Sequence, residues 1–227
     1  MSWFVECPFC HKSVFRWFYS WHESKHTARR ADGQMSEHIT AAPDRRYDGP
    51  LDGVPQAYRH AKCGVTTGMP LEIIRTYLVH PLMYNDSSFC CGCGDYVISS
   101  ELVWIETGES VMSYMCKLRA DYVKEEFGID PASSEIILTP STLEKISSIA
   151  GDAAQPLLAL EMVKRNSDIN YKLDVATDWN RQREELIDLG DVGIIVPKDQ
   201  RQRLAGTIIH YNQTPQGFTI ARIAPWK

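Results

Sequence analysis

Apolar residues recur at helical spacing in two stretches of the first 130 residues. In MPLEIIRTYLVHPLMY, residues 69–84, Leu71, Ile74, Leu78 and Leu82 predict a helix that ends near His80-Pro81. SVMSYMCKLRADYVKEEFG, residues 110–128, predicts an amphipathic helix that ends at Gly128, because glycine readily adopts the left-handed conformation of a helix terminus. Between them, residues 95–108 have strand character.

The pattern changes to a mainly β alternation after residue 130. A strand, a Thr139-Pro140 helix start and a helix come first, and five further strands with one short helix follow, the last running through Phe218. The acidic stretch EELIDLGD is interpreted as a solvated face. The apolar positions that we expect to form a core here are Ile136, Leu138, Leu143, Ile146, Leu158, Leu160, Val163, Leu173, Ile194, Val196, Leu204, Ile208 and Phe218.

A polar segment separates the first thirty residues from the rest. Residues 31–55 contain three glycines and three prolines and are predicted to be a linker. The predicted organisation is a module at 1–30, the linker at 31–55, a second module at 56–128 and a β-rich domain at 133–227. The predicted fold class is α+β.

Composition and charge exclude several classes of protein. Hydrophobic residues make up 44% and charged residues 23%, as in an ordinary globular protein. The net charge of −5 excludes a global basic field. No apolar run approaches the about 20 residues of a membrane span, and the N-terminus does not resemble a signal peptide, so we expect a cytoplasmic protein without membrane contact.

All seven cysteines lie between residues 7 and 116, which favours metal binding over disulfides in a reducing compartment. The first pair belongs to the pattern Cys7-x2-Cys10-x11-His22-x3-His26, which resembles a C2H2 zinc finger with a spacer one residue short. A CxxC turn directs two thiolates to one point, and two histidines four apart share a helix face. The small core of such a module would use Val14, Phe15, Phe18 and Tyr19.

Three alternatives to this ligand set remain open. Cys7-Pro8-Phe9-Cys10 is also a possible redox dithiol, although the βαβ context of such a motif does not follow it. With His11 the same pair has the CxxCH pattern of haem attachment. His11 is also an alternative ligand to His26.

A second set of ligands is split along the chain. His60-x2-Cys63 and Cys90-x2-Cys93, each followed by glycine, make a HisCys3 set that resembles zinc-ribbon or treble-clef knuckles. Cys91 competes with its neighbours for this site, but its CxC spacing suits a knuckle less well. Cys116 lies within a predicted helix and is expected to be a buried thiol. The sequence therefore predicts two structural Zn²⁺ ions per chain.

The C-terminal segment resembles the HesB/IscA family of A-type iron–sulfur carriers. The similar stretches, in order, are 137–140 (ILTP), 158–163, 171–174, 193–197 (GIIVP), 204–211 (LAGTIIHY) and 217–220 (GFTI). The resemblance implies the family's fold. It does not carry over the cluster, because Asn166 stands where the family's first cysteine would be and the tail pair of cysteines is missing.

A closed set of four protein ligands is typical of structural zinc, because catalytic zinc keeps a position for water. We therefore expect no enzyme and no catalytic residues, but a zinc-binding adaptor whose partner is another protein. One alternative is a nucleic-acid-binding zinc finger, because residues 1–30 carry five basic residues against two acidic ones and Trp17 and Trp21 could stack on bases. A further alternative is an accessory in metal handling or iron–sulfur assembly.

Overall fold

The structure is a computed structural model that describes residues 3–150, 155–165, 168–213 and 216–226. It combines helices with five small sheets, so the predicted α+β class is confirmed. Within these ranges, no helix has both the length and the apolar character needed to cross a membrane. Asn166, the residue in place of the carrier family's first cysteine, lies outside the described residues.

The chain begins with a hairpin and a helix. Strands β1 (Phe4–Glu6) and β2 (Ser13–Phe15) pair antiparallel, and a 3₁₀ turn leads into helix α1 (Tyr19–Thr27). The prediction that Phe18 belongs to the core of this module is wrong, since its side chain is 62% exposed. Phe18 ends the 3₁₀ turn on the side facing solvent.

The stretch predicted as a linker packs against the elements that follow it. Its regular structure consists of one 3₁₀ turn and of an isolated bridge from Met35 back to Arg29, which precedes the stretch. Thr40 and Ala41 are nevertheless buried, and the Ala41 backbone N–H donates to Thr76 Oγ1 at 3.1 Å. Residues 31–55 therefore follow a defined path along the surface.

The second group of elements surrounds Trp104, which is fully buried. One sheet has the strand order β4-β3-β7, and a separate hairpin joins β5 to β6. The elements are β3 (Ala57–His60), β4 (Thr66–Gly68), α2 (Leu71–Tyr77), β5 (Ser87–Cys90), β6 (Asp95–Ile98), β7 (Leu102–Trp104) and α3 (Val111–Phe127).

Both helices expected from the apolar pattern are present. Helix α2 ends at Tyr77, a little before the Pro81 that cannot continue it. Ser110 is the N-cap of helix α3, and its hydroxyl accepts the Ser113 N–H at 3.0 Å. Gly128 is the C-cap, with φ of 65°. The helix boundary predicted at Gly128 is confirmed.

The C-terminal elements form two sheets. One has the order β10-β9-β12-β11 and the other β14-β13-β8, and each contains one parallel pair, β9 with β12 and β8 with β13. The elements are β8 (Ile136–Leu138), α4 (Pro140–Ala150), β9 (Leu157–Arg165), β10 (Asp168–Ala176), β11 (Glu184–Asp188), β12 (Gly193–Pro197), α5 (Arg201–Leu204), β13 (Thr207–Gln213) and β14 (Gln216–Arg222).

Strand β11 corrects the interpretation of EELIDLGD as only a solvated acidic face. It is an edge strand that pairs antiparallel with β12, and Ile187 packs against the core between the two sheets. That core contains eight of the expected apolar residues, whereas Phe218 is 37% exposed.

A further cluster joins the C-terminal sheets to the preceding elements. Leu82, in a 3₁₀ turn after α2, and Val123, on α3, pack in one cluster with Ile137, Ile208 and Ile223. Because one core includes residues from both sides of Gly128, the metal-ligand region and the C-terminal sheets share buried apolar surface.

Candidate metal centres

The turn between β1 and β2 carries the first two thiols. The Cys7 N–H donates to Lys12 O at 3.0 Å, and the His11 N–H donates to Cys7 O at 2.8 Å. These bonds close a tight turn that brings the Cys7 and Cys10 side chains to the same side. Cys7 is fully buried beneath the hairpin.

Helix α1 supplies two imidazoles to this turn. His22 and His26 are one helical turn apart, with 3.0 Å between their Nε2 atoms. The His22 Nε2 lies 3.3 Å from Cys10 Sγ, and the ring of His26 stacks on Phe9 at 5.2 Å. The donor atoms of Cys7, Cys10, His22 and His26 all lie within 4.8 Å of one another. We refer to these four residues as the N-terminal tetrad.

Two further turns bring together a second group. His60 ends β3, and Cys63 lies in the following turn. Cys90 ends β5, and Cys93 lies in the turn that leads to β6. His60 Nδ1 faces the Sγ atoms of Cys63, Cys90 and Cys93 at 3.4, 3.5 and 3.3 Å, and the first two sulfurs are 3.5 Å apart. These four donors also lie within 4.8 Å of one another and are called the second tetrad.

The spacing of the donors suits one tetrahedral metal ion in each group. Zinc bonds of about 2.3 Å to sulfur and about 2.0–2.1 Å to nitrogen place tetrahedral S and N donors about 3.5 Å apart. The measured sulfur-to-nitrogen distances are 3.3–3.5 Å. Both tetrads could therefore hold a metal ion.

A carboxylate lies behind one histidine of each tetrad. His26 directs Nε2 into its tetrad while its Nδ1 lies 2.8 Å from Glu37 Oε2. His60 uses the opposite nitrogens, with Nδ1 facing the sulfurs and Nε2 lying 3.1 Å from Glu101 Oε2. Such outer carboxylates fix the tautomer and orientation of a metal-binding imidazole and raise its basicity.

Crowding of the thiols affects their ionisation. The backbone N–H of Val65 faces Cys63 Sγ and lowers the pKa of that thiol to about 7. Desolvation, together with the neighbouring Cys90 and Cys63, raises the pKa of Cys93 to about 11. A divalent cation at the centre would stabilise all three thiolates together.

The residue after the second ligand has a left-handed backbone in all three turns. Gly64 and Gly94 have φ of 73° and 63°, and His11 has φ of 57° at the equivalent place in the first turn. The His11 ring lies near Thr40 Oγ1, at 3.3 Å, and near Glu6 Oε1, at 3.4 Å. The structure thus places His11 outside the N-terminal tetrad.

Two other cysteines also lie outside the tetrads. Cys91 is exposed, and its backbone N–H donates to Thr67 Oγ1 at 3.1 Å. Cys116 is buried on α3, as predicted, with its thiol 3.6 Å from Arg222 O.

Sequence reasoning missed Glu37 and Glu101. Both are common surface residues with no motif around them, and only the fold brings them to His26 and His60.

The two tetrads are also linked to one another. An Asp32-Gly33 turn after α1 contacts the turn between β5 and β6, and a Cβ added at Gly33 would collide with Gly94 O. Beside this contact, Arg29 Nη1 lies 3.2 Å from Asp95 Oδ1. The N-terminal module is therefore docked on the turn that carries Cys93.

No protein-family model matches the chain, and no curated protein matches it in sequence. Among solved structures, Escherichia coli SufA, described as involved in the biosynthesis of iron–sulfur clusters, is 18% identical over 37% of this chain and 77% of its own, with a TM-score of 0.33. A protein from Aquifex aeolicus, solved by NMR, is 19% identical over 38% of this chain and 89% of its own, with a TM-score of 0.31. Structural similarity at such TM-scores does not indicate a function.

Proposed function

We propose that the protein binds two structural zinc ions, one in each tetrad, and acts as a non-enzymatic binding protein. The observation that carries this proposal is the convergence of eight Cys and His donors into two groups, each within 4.8 Å. A mixed set of thiolates and imidazoles in a tetrahedron is a common ligand set of structural zinc.

The donor spacing favours a single ion over an iron–sulfur cluster. A cluster distributes its protein ligands over two or more irons and needs thiolates on most of them. The donors of both tetrads converge on one point, and the N-terminal tetrad offers only two thiolates. We therefore propose zinc rather than an iron–sulfur group at both places.

The number of ligands favours a structural role. Each tetrad already supplies four protein donors, whereas a catalytic zinc keeps a coordination position for water or substrate. The hairpin and α1 bury few large side chains, so a metal ion would supply much of the free energy that holds them together.

For the C-terminal sheets we propose a HesB/IscA-like fold that carries no cluster. The support is the order of the matching stretches, which lie on the β8–α4 junction, on β12, on β13 and on β14. The sequence contains no cysteine after Cys116, so these sheets offer no thiolate of their own. A carrier of iron–sulfur clusters is therefore not what we propose.

A count of bound zinc tests the proposal. We expect about two zinc ions per purified chain, one fewer in His60→Ala and one fewer in His22→Ala. His38→Ala is the matched control, because His38 lies outside both tetrads, and it should keep both ions. Wild-type protein with one ion, none, or predominantly iron would overturn the proposal.

A further inference from the structure

The N-terminal module exposes several large aromatic side chains. Trp3, Trp17, Phe18 and Trp21 are 66%, 79%, 62% and 64% exposed, and we call them the aromatic face. Aromatic residues of this size are usually covered, and exposed groups of them mark interaction sites.

These rings form a connected surface around Phe15. The Phe15 ring lies 6.2 Å from Trp3, 6.3 Å from Trp17 and 6.4 Å from Phe18. Trp21 lies further along the chain, on α1, with Lys25 Nζ 3.6 Å from its ring centroid. The face combines flat apolar rings with a cation directly over one of them.

Positive charge accompanies the rings. Lys12, Arg16 and Lys25 are exposed, and none of them lies within ion-pairing distance of a carboxylate in the described residues. Other charged groups nearby are paired, such as Arg29 with Asp95 and Glu6 with Arg45. Three unneutralised cations therefore lie on the same small module as the rings, in a chain whose net charge is −5. Lys25 lies over Trp21, and the Arg16 backbone N–H donates to Trp3 O at 3.0 Å.

This combination fits one class of partner better than others. Single-stranded nucleic acids expose base faces that stack on aromatic rings, and their phosphates pair with Lys and Arg. A duplex hides its base faces in its own stack, so the rings would have nothing to stack against. A wholly apolar protein surface would leave the three cations without partners.

We propose that the aromatic face binds single-stranded nucleic acid through base stacking, with Lys12, Arg16 and Lys25 contacting phosphates. The inference rests on the proposed function, because zinc in the N-terminal tetrad would hold the hairpin and α1 in this arrangement.

Fluorescence anisotropy of a labelled single-stranded oligonucleotide with the full-length protein tests the inference. We expect saturable binding that quenches tryptophan fluorescence. The logarithm of the association constant should fall with the logarithm of the salt concentration with a slope of about −2. This slope follows from three phosphate contacts that each contribute about −0.7 on a single strand. Trp17→Ala should weaken binding about tenfold, within the usual range for the loss of one stacked base. Lys25→Ala should reduce the slope by about 0.7.

Trp179→Ala is the matched control, because Trp179 also packs with a cation, Arg181, at 5.5 Å but lies on the C-terminal half. It should bind as wild type. Unlabelled duplex and a polyglutamate peptide should compete poorly, since neither offers free bases.

Zinc is counted in every sample used for binding. Two zinc ions without oligonucleotide binding, or binding unchanged by Trp17→Ala, would overturn this inference alone. Competition by polyglutamate as strong as that by the oligonucleotide would also overturn it, in favour of an acidic protein partner. Absence of zinc from the wild-type protein would instead overturn the proposed function.

Discussion

Arg119 and Asp86 form an ion pair that is completely enclosed by the protein. Arg119 Nη1 lies 2.7 Å from Asp86 Oδ1, and their side chains are 0% and 1% exposed. The second oxygen of Asp86 accepts the Arg222 N–H at 3.0 Å and the Tyr171 hydroxyl at 3.1 Å. The pair thus connects α3 and the loop before β5 with strands β10 and β14.

The guanidinium of Arg119 is fully used in this position. Besides Asp86, it donates to the backbone oxygens of Tyr84, Asn85 and Arg222 at 2.9–3.1 Å, and its Nε–H donates to Pro81 O at 3.4 Å. Because every buried donor has an acceptor, the pair can be kept without the penalty of an unsatisfied charge.

We predict that Asp86→Ala destabilises the protein by about 3–5 kcal/mol, because it leaves the Arg119 charge buried and unpaired. Urea unfolding monitored by circular dichroism measures the change. The control is Asp174→Ala, which removes an exposed partner of Lys172 and should lower the stability far less. Equal losses in the two variants would show that the buried pair does not connect the two regions.

Gly33→Ala should weaken the docking of the N-terminal module. Its backbone has φ of 89°, and the new Cβ would collide with Gly94 O, which is backbone and cannot move aside easily. Gly53→Ala is the control: Gly53 has a similar φ of 77°, but its new Cβ would meet no atom within 4 Å. This variant therefore shows the effect of backbone strain without a collision. Limited proteolysis between residues 27 and 45 should be faster in Gly33→Ala than in Gly53→Ala. Equal rates would contradict the close contact.

Glu101→Gln should lower the zinc affinity of the second tetrad about 10- to 100-fold, because His60 loses the carboxylate that orients its ring. Competition with a coloured chelator measures the affinity. Glu144→Gln, an exposed change on α4, is the control and should leave the affinity unchanged. An unchanged affinity in Glu101→Gln would mean that the carboxylate does not support the ligand.

Cys90→Ser should lower thermal stability much more than Cys91→Ser. Zinc binding that is coupled to folding is worth about 10 kcal/mol or more, and losing one of four ligands forfeits part of it. Cys91 is exposed and contributes only its backbone N–H to Thr67, which serine retains. Thermal unfolding and zinc content of both variants provide the test. A larger loss of stability in Cys91→Ser would mean that Cys91, rather than Cys90, is the metal ligand.

The four local pairs of donors followed from sequence spacing, because CxxC and HxxC turns and an i, i+4 histidine pair have fixed local geometry. The pairing of His60 with Cys90, across an entire helix, rested only on the need for four ligands. Glu37, Glu101 and Asp86 could not be found in this way, since their roles depend on tertiary contacts that leave no periodic signal.

The helices and strands of the core were predictable where the apolar period was clear, as for α3 and β9. Strand β11 was missed because its charged residues conceal one apolar position that packs inward, Ile187. Phe18 was misplaced because it lies in a three-residue 3₁₀ turn before α1 in which no side chain is buried. The packing of Val123 against residues of the C-terminal sheets also could not be predicted, since no sequence pattern indicates which separate elements contact one another.

X-ray absorption at the zinc K-edge tests the central claim, two closed tetrads, most directly. The tetrads contain five cysteines and three histidines over two ions, which average to 2.5 sulfur and 1.5 nitrogen donors per zinc. We predict a four-coordinate shell with sulfur at about 2.3 Å and nitrogen at about 2.0–2.1 Å, without a water ligand. A shell of five or six light donors, or iron in place of zinc, would contradict the account.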